Sequence, residues 1–201
     1  MQALHRPVYE ARKRALVAAI LPHLKPNDRV LDVGCGNGLL GEALMAAPNR
    51  PQGLTVEGLE RAKRGGEPIT VHAYDGVTIP FADNSYDVLI VADVVHHETD
   101  EMRLYNEVKR VAKRAIIVKD HIIQGPLGYQ RICLLDWAAN APYGVPCLYR
   151  YNTPQQWTDL PKKLGMRVAH EARSMNVYPP VVNLLLGRHL HFFAVWEKNP
   201  A

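Results

Sequence analysis

Asp32 stands two residues ahead of Gly34-Cys35-Gly36-Asn37-Gly38. An apolar run, 29–33, precedes this cluster, and an apolar stretch over 39–46 follows it. The order reads strand, turn, helix. Glycines lack a Cβ and adopt positive φ freely, so their backbone can approach a ligand closely. The helix that follows points its first N–H groups at the same place. Dinucleotide enzymes space these glycines G-x-G-x-x-G; here the spacing is G-x-G-x-G, which opposes a nicotinamide dehydrogenase.

Further chemistry-bearing residues recur at the ends of apolar runs. Glu57 and Glu60 lie on the second run, Asp75-Gly76 ends the third, and Ala92-Asp93-Val94 ends the fourth. His96-His97 and Asp120-His121 come just after strands and are acid–base candidates, with His97 and His121 the two taken as catalytic. Adjacent histidines do not readily face one ion, and no carboxylate–His spacing accompanies them, so no metal is expected.

The elements that must position these groups alternate. Apolar spacing predicts a helix over 9–24 ended by Pro26-Asn27, then strands at 54–60, 69–75, 86–93 and 115–119, with a helix over 98–113. A further helix starts at Thr153, with Pro154 at its first position and Gln156 completing a capping box, and Gly165 ends it. Strands at 166–173 and 190–197 close the chain, making seven with 29–33. Strands alternating with helices argue a parallel sheet covered on both faces. Residues 121–152 break the rhythm and are rich in Gly, Pro, Tyr and Asn, so irregular or short helical structure is expected there.

The 201 residues suit a single domain with a sizeable core, and 47% hydrophobic residues is ordinary for a globular protein. No stretch is long and apolar enough to span a bilayer, and no secretory signal is evident. Three cysteines without a CxxC point to a reducing, cytoplasmic setting. The net charge of +4 is small and scattered, which disfavours nucleic acid as partner; a monomer or homodimer is expected.

Val30-Leu31-Asp32-Val33-Gly34-Cys35-Gly36-Asn37-Gly38 resembles motif I of the class I S-adenosylmethionine-dependent methyltransferases. A second stretch, Asp75 to Asp87 with Ile79-Pro80-Phe81 and Ser85-Tyr86-Asp87 inside it, resembles the D-x-x-x-(L/I)-P-F-x-D-x-S-(F/Y)-D of the type 11 group. The resemblance covers roughly 28–120. It implies a Rossmann-like, doubly wound α/β sheet of seven strands, mostly parallel, with an antiparallel C-terminal strand. One domain over 1–201 follows: the N-terminal helix 9–24, a cofactor half 28–120, a lid or acceptor segment 121–152, and a C-terminal helix and strand pair over 153–198.

The resemblance implies S-adenosylmethionine as cofactor and S-adenosylhomocysteine as product. Asp32 and the loop 34–38 would hold it, Glu60 or Glu57 the ribose, Asp75-Gly76 the adenine, and backbone at Ala92, Asp93 and Val94 the methionine side. Glu60 is preferred because it falls at the strand's end. Too few residues separate Glu60 from Ile69 for a helical crossover, so the family's helix after the second strand is replaced by a Gly-rich basic loop. An Asn/Asp-Pro-Pro-aromatic tetrad is absent, which disfavours exocyclic amines of bases and glutamine side chains as acceptors.

In this family the N-terminal helix and the segment 121–152 build the acceptor pocket. Tyr129, Trp137, Tyr143, Tyr149 and Tyr151, with Arg131 and Asp136 as opposite charges, suit a small organic acceptor or a packed lid equally. Methylation of RNA or protein, or a non-catalytic cofactor-binding partner, are the alternatives.

Overall fold

The computed structural model describes residues 2–141, 144 and 146–199; Tyr143 lies outside them. The chain runs α1 (Gln2–Ile20), β1 (Arg29–Val33), α2 (Leu39–Ala46), β2 (Thr55–Glu60), β3 (Val71–Ala73), β4 (Tyr86–Ala92), α3 (Glu101–Val111), β5 (Ala112–His121), α4 (Gly128–Asn140), α5 (Pro154–Lys163), β6 (Met166–Ala172), α6 (Pro180–Val182) and β7 (His191–Lys198). The strands form one sheet in the order β3-β2-β1-β4-β5-β7-β6. Only β7 runs against its neighbours, pairing antiparallel with both β5 and β6. The expected doubly wound sheet, with its antiparallel final strand, is therefore present.

β1 and β4 are hydrogen-bonded neighbours although far apart in sequence. The chain winds outward from them in opposite directions, which opens a crevice at their carboxyl ends. Val30 to Val33 and Val88 to Val91 are buried because helices cover both faces. Leu16 and Ile20 of α1 and Leu44 of α2 pack on one face against Val56, Ile90 and Ile117. Leu104, Val108, Trp157 and Leu160 of α3 and α5 pack on the other against Leu31, Leu89 and Ile116.

Several boundaries depart from expectation. α1 begins at Gln2 and hands over to a 3-10 turn, Leu21–His23, where Pro22 sits. β3 is shorter than 69–75. Ile69 instead packs its side chain onto the backbone of Gly38 and Gly41. β5 starts where α3 stops, so no loop separates them. No helix lies between β2 and β3.

The largest correction concerns 121–152, which contains α4, a helix of 13 residues. Its apolar residues do not gather on one face: Ile132 is buried, whereas Leu134 and Trp137 are half exposed. That removes the periodic signal from which a helix is read. α5 is capped as expected: Thr153 Oγ1 accepts from Gln156 N at 3.3 Å, and Gln156 Oε1 accepts from Thr153 N at 2.8 Å. The connection after β6 holds α6, which runs into a π-helical turn, Asn183–Gly187.

Candidate active site

The Gly-rich turn begins where β1 ends. Gly34, Gly36 and Gly38 have φ of 70°, 58° and 75°. A Cβ on Gly34 would lie 2.5 Å from Val94 Cγ2, and one on Gly38 2.9 Å from Ile69 Cγ1. Those two glycines admit close packing within the protein. A Cβ on Gly36 would meet only the Arg64 guanidinium, at 3.8 Å, so the space over Gly36 is open.

Glu60 and Glu57 part company here. Glu60 Oε2 accepts from Gly36 N at 2.8 Å, while Oε1 accepts from Arg61 N at 2.8 Å. Glu57 is bound elsewhere, to His72 Nε2 at 2.5 Å and Tyr86 Oη at 3.1 Å. The carboxylate beside the Gly-rich turn is thus Glu60.

Asp32 is buried below the turn, and burial pushes its carboxyl up to about 7; Arg12 opposes this and Glu60 adds to it. The Cys35 side chain packs over Gly58. Burial, then Asp32 and Glu60, push its thiol up to about 12, so it is no nucleophile. Asn37 is partly buried in the turn. Asp75 is exposed, two residues beyond β3, and its Oδ1 accepts from Val77 N and Thr78 N at 2.7 and 2.8 Å. Arg61 lies over Gly76 and reaches Glu98 at 2.5 Å, which brings the basic loop across this end of the crevice.

Ala92 closes β4, and Asp93 follows with φ of 58°, unusual for a residue with a Cβ. Its carboxylate is an ionic hub. Lys119 Nζ donates to it at 2.6 and 2.7 Å, and Arg12 of α1 donates at 2.6 and 3.0 Å. Burial alone would raise this carboxyl; Lys119 and Arg12 reverse the effect and hold it well below the usual range. Val94 packs against Gly34.

The histidines that follow sit on a 3-10 turn, Val95–His97. Successive residues of such a turn point about 120° apart. His96 is buried and His97 partly so; their ring centroids lie 4.1 Å apart, and donor atoms of His96, His97 and Asp136 lie within 4.8 Å of one another. His96 Nδ1 is 2.6 Å from Asp120 Oδ1, and its Nε2 is 3.6 Å from Asp136 Oδ1. Burial lowers the affinity of His96 for a proton, but Asp120 and Asp136 outweigh it and raise its pKa. His97 Nδ1 lies 3.3 Å from Pro146 O at the surface.

His121 is buried at the end of β5, its ring centroid 4.9 Å from that of His96. Burial lowers its pKa, leaving a neutral imidazole. Asp136 comes from α4 and accepts from Tyr151 Oη at 2.6 Å. Arg131 is not its partner; it donates instead to Leu186 O and Arg188 O at 2.8 and 3.0 Å, fastening α4 to the π-helical turn.

These groups wall a cavity of about 410 Å³, lined among others by Val95, His96, Asp120, His121, Tyr151 and Trp157. Its far wall comes from the start of α5, fixed by Trp157 Nε1 donating to His121 O at 3.0 Å. α1 does not line it, contrary to expectation. The sequence marked His96 only as one of four acid–base candidates and Trp157 as a packing residue; the three-dimensional meeting of β4, β5, α4 and α5 gives them their place.

The methyltransferase domain family model of the type 11 group matches residues 31–117, the span holding the Gly-rich turn, Glu60 and the ends of β3 and β4. A ubiquinone biosynthesis O-methyltransferase of Cereibacter sphaeroides is 27% identical over 69% of this chain and 60% of its own. The 27-O-demethylrifamycin SV methyltransferase of Amycolatopsis mediterranei is 27% identical over 48% of this chain and 39% of its own. The chain thus spans between 39% and 60% of the length of these relatives. A methyltransferase of Haloferax volcanii, solved with the Trm112 methyltransferase activator, has the same fold. Its TM-score is 0.69 at 15% identity, over 99% of this chain and 93% of that one. The family model and the shared fold together support a class I S-adenosylmethionine-dependent methyltransferase. Among the described residues no helix is long and apolar enough to cross a membrane.

Proposed function

We propose that the chain binds S-adenosylmethionine over the Gly34–Gly38 turn and transfers its methyl group to a small organic acceptor. The observation that carries this reading is the cavity walled by His96, Asp120, His121 and Tyr151, whose lining residue Val95 follows Val94, which packs on Gly34. A volume of about 410 Å³ is of the size that takes one small molecule. The residues present fit the cofactor. Open space over Gly36 admits its backbone approach, Glu60 offers two carboxylate oxygens to a diol, and buried Asp32 suits an ammonium.

The cofactor supplies an electrophilic methyl on a sulfonium. The protein's share is to hold the acceptor in line and exclude water, which by itself accounts for much of the rate in such reactions. Relatives whose names carry O-methylation of small molecules support an oxygen acceptor.

The test is formation of S-adenosylhomocysteine from S-adenosylmethionine, followed by mass spectrometry against separated cell fractions. Turnover with the low-mass fraction is the expected result. Turnover only with the RNA or protein fraction would reject the small-molecule reading while keeping methyl transfer.

A further inference from the structure

We infer that His96, Asp120 and His121, with Asp93 at their edge, form a site for one divalent transition-metal ion opening on the acceptor cavity. Sequence spacing argues against a metal because His96 and His97 are adjacent. The fold removes that objection, since Asp120 and His121 arrive from β5 and the site does not need His97. One donor atom from each of Asp93, His96, Asp120 and His121 lies within 4.8 Å of all the others.

An independent observation points to a ligand. His121 Nδ1 makes no hydrogen bond although the side chain is only 7% exposed. It stands 3.4 Å from Asp120 Oδ1, the oxygen that also faces His96 Nδ1. Leaving such a nitrogen dry and unpaired is costly. Two donors held on one ion at bond lengths of about 2.0–2.2 Å sit roughly 3.4 Å apart in tetrahedral geometry. The His121–Asp120 separation meets this, and the short His96–Asp120 contact would lengthen as the ion enters.

Asp93 is already paired with Lys119 and Arg12, whereas the ionic side-chain partners of Asp120 are the two imidazoles of His96 and His121. The donor set, imidazole nitrogen with carboxylate oxygen, selects zinc, cobalt, iron or manganese rather than magnesium or calcium. The three principal donors line the cavity, so the ion would present an open position to an acceptor oxygen.

The site is tested by binding, whether or not methyl transfer occurs. Protein dialysed against chelator is titrated with Zn²⁺ by calorimetry and with Co²⁺ by visible absorption. One equivalent per chain with the spectrum of nitrogen and oxygen ligands is expected. His121→Ala and Asp120→Asn should each weaken it by more than the roughly 10- to 100-fold that loss of a surrounding partner costs, whereas His97→Ala keeps it. Circular dichroism and S-adenosylmethionine affinity serve as controls for folding. Absence of stoichiometric binding, thiolate bands showing cysteine ligation, or loss in His97→Ala with retention in His121→Ala would overturn the assignment. Failure here leaves S-adenosylmethionine turnover intact, and absent turnover with bound metal leaves the site intact.

Discussion

The main-chain N–H of Gly36 donates to Glu60 Oε2 at 2.8 Å, tying the Gly-rich turn to the end of β2. A ligand diol that binds at this carboxylate must compete with that bond. Glu60→Gln is expected to weaken S-adenosylmethionine binding by about 1–2 kcal/mol, the scale of a hydrogen bond to a charged group. Glu57→Gln should leave affinity unchanged, because Glu57 faces His72 and Tyr86. Calorimetry on both variants decides; the reverse pattern would move the ribose to Glu57.

Gly36→Val is expected to abolish cofactor binding and keep the fold. A β-branched residue is strained at φ of 58° and fills the open space above the turn. Gly34→Val should behave differently and lower the melting temperature, since its side chain collides with Val94. Paired thermal melts and calorimetry separate the two outcomes.

Asp32 gives a pH dependence whose sign is fixed. Its folded pKa of about 7 is above the ordinary 3.8, so between those values the folded protein holds a proton that the unfolded chain has released. Stability therefore falls as pH rises through this window. Binding of the cofactor's ammonium favours the ionised carboxylate, so affinity should strengthen as pH rises from about 5.5 to 7.5, by less than tenfold per unit. Proton release measured in buffers of different ionisation heat should disappear in Asp32→Asn. A flat wild-type profile would contradict it.

Asp93→Ala is expected to cost about 3–5 kcal/mol of stability, because it leaves the buried Lys119 and the partly buried Arg12 without a counter-charge. Chemical denaturation measures this directly. A loss under about 1 kcal/mol, the range of surface pairs, would show that water reaches Lys119 and Arg12.

Tyr151→Phe and His121→Ala are expected to lower turnover at least about tenfold while S-adenosylmethionine affinity stays constant, since both line the cavity and neither touches the Gly-rich turn. His97→Ala should change turnover little. Equal loss of affinity and turnover in the first two would join cavity and cofactor cleft into one site.

The parallel half of the sheet was legible because buried strands are continuous apolar runs and Gly34, Gly36 and Gly38 punctuate the first of them. Thr153 and Gln156 announced α5 for a similar local reason: a cap is written in four residues. α4 escaped because Leu134 and Trp137 stay exposed, so no stripe formed. The ionic partners of Asp93 and His96 escaped for a different reason. These residues, Arg12, Lys119, Asp120 and Asp136, are 24 or more residues away, and ion pairing across a fold leaves no periodic trace in a sequence.

The antiparallel placement of β7 between β5 and β6 has a consequence for biosynthesis. β5 gains its second neighbour only after the ribosome has added α4, α5 and β6, and His121 pairs in register with His191 of that late strand. Until then Ile117 and Val118 lie along an unpaired edge, the kind of surface on which nascent chains stick to one another. The pocket-forming half of the molecule is thus the last to be assembled, and a pause in translation before β7 would leave a cofactor-binding half already shaped beside an aggregation-prone border.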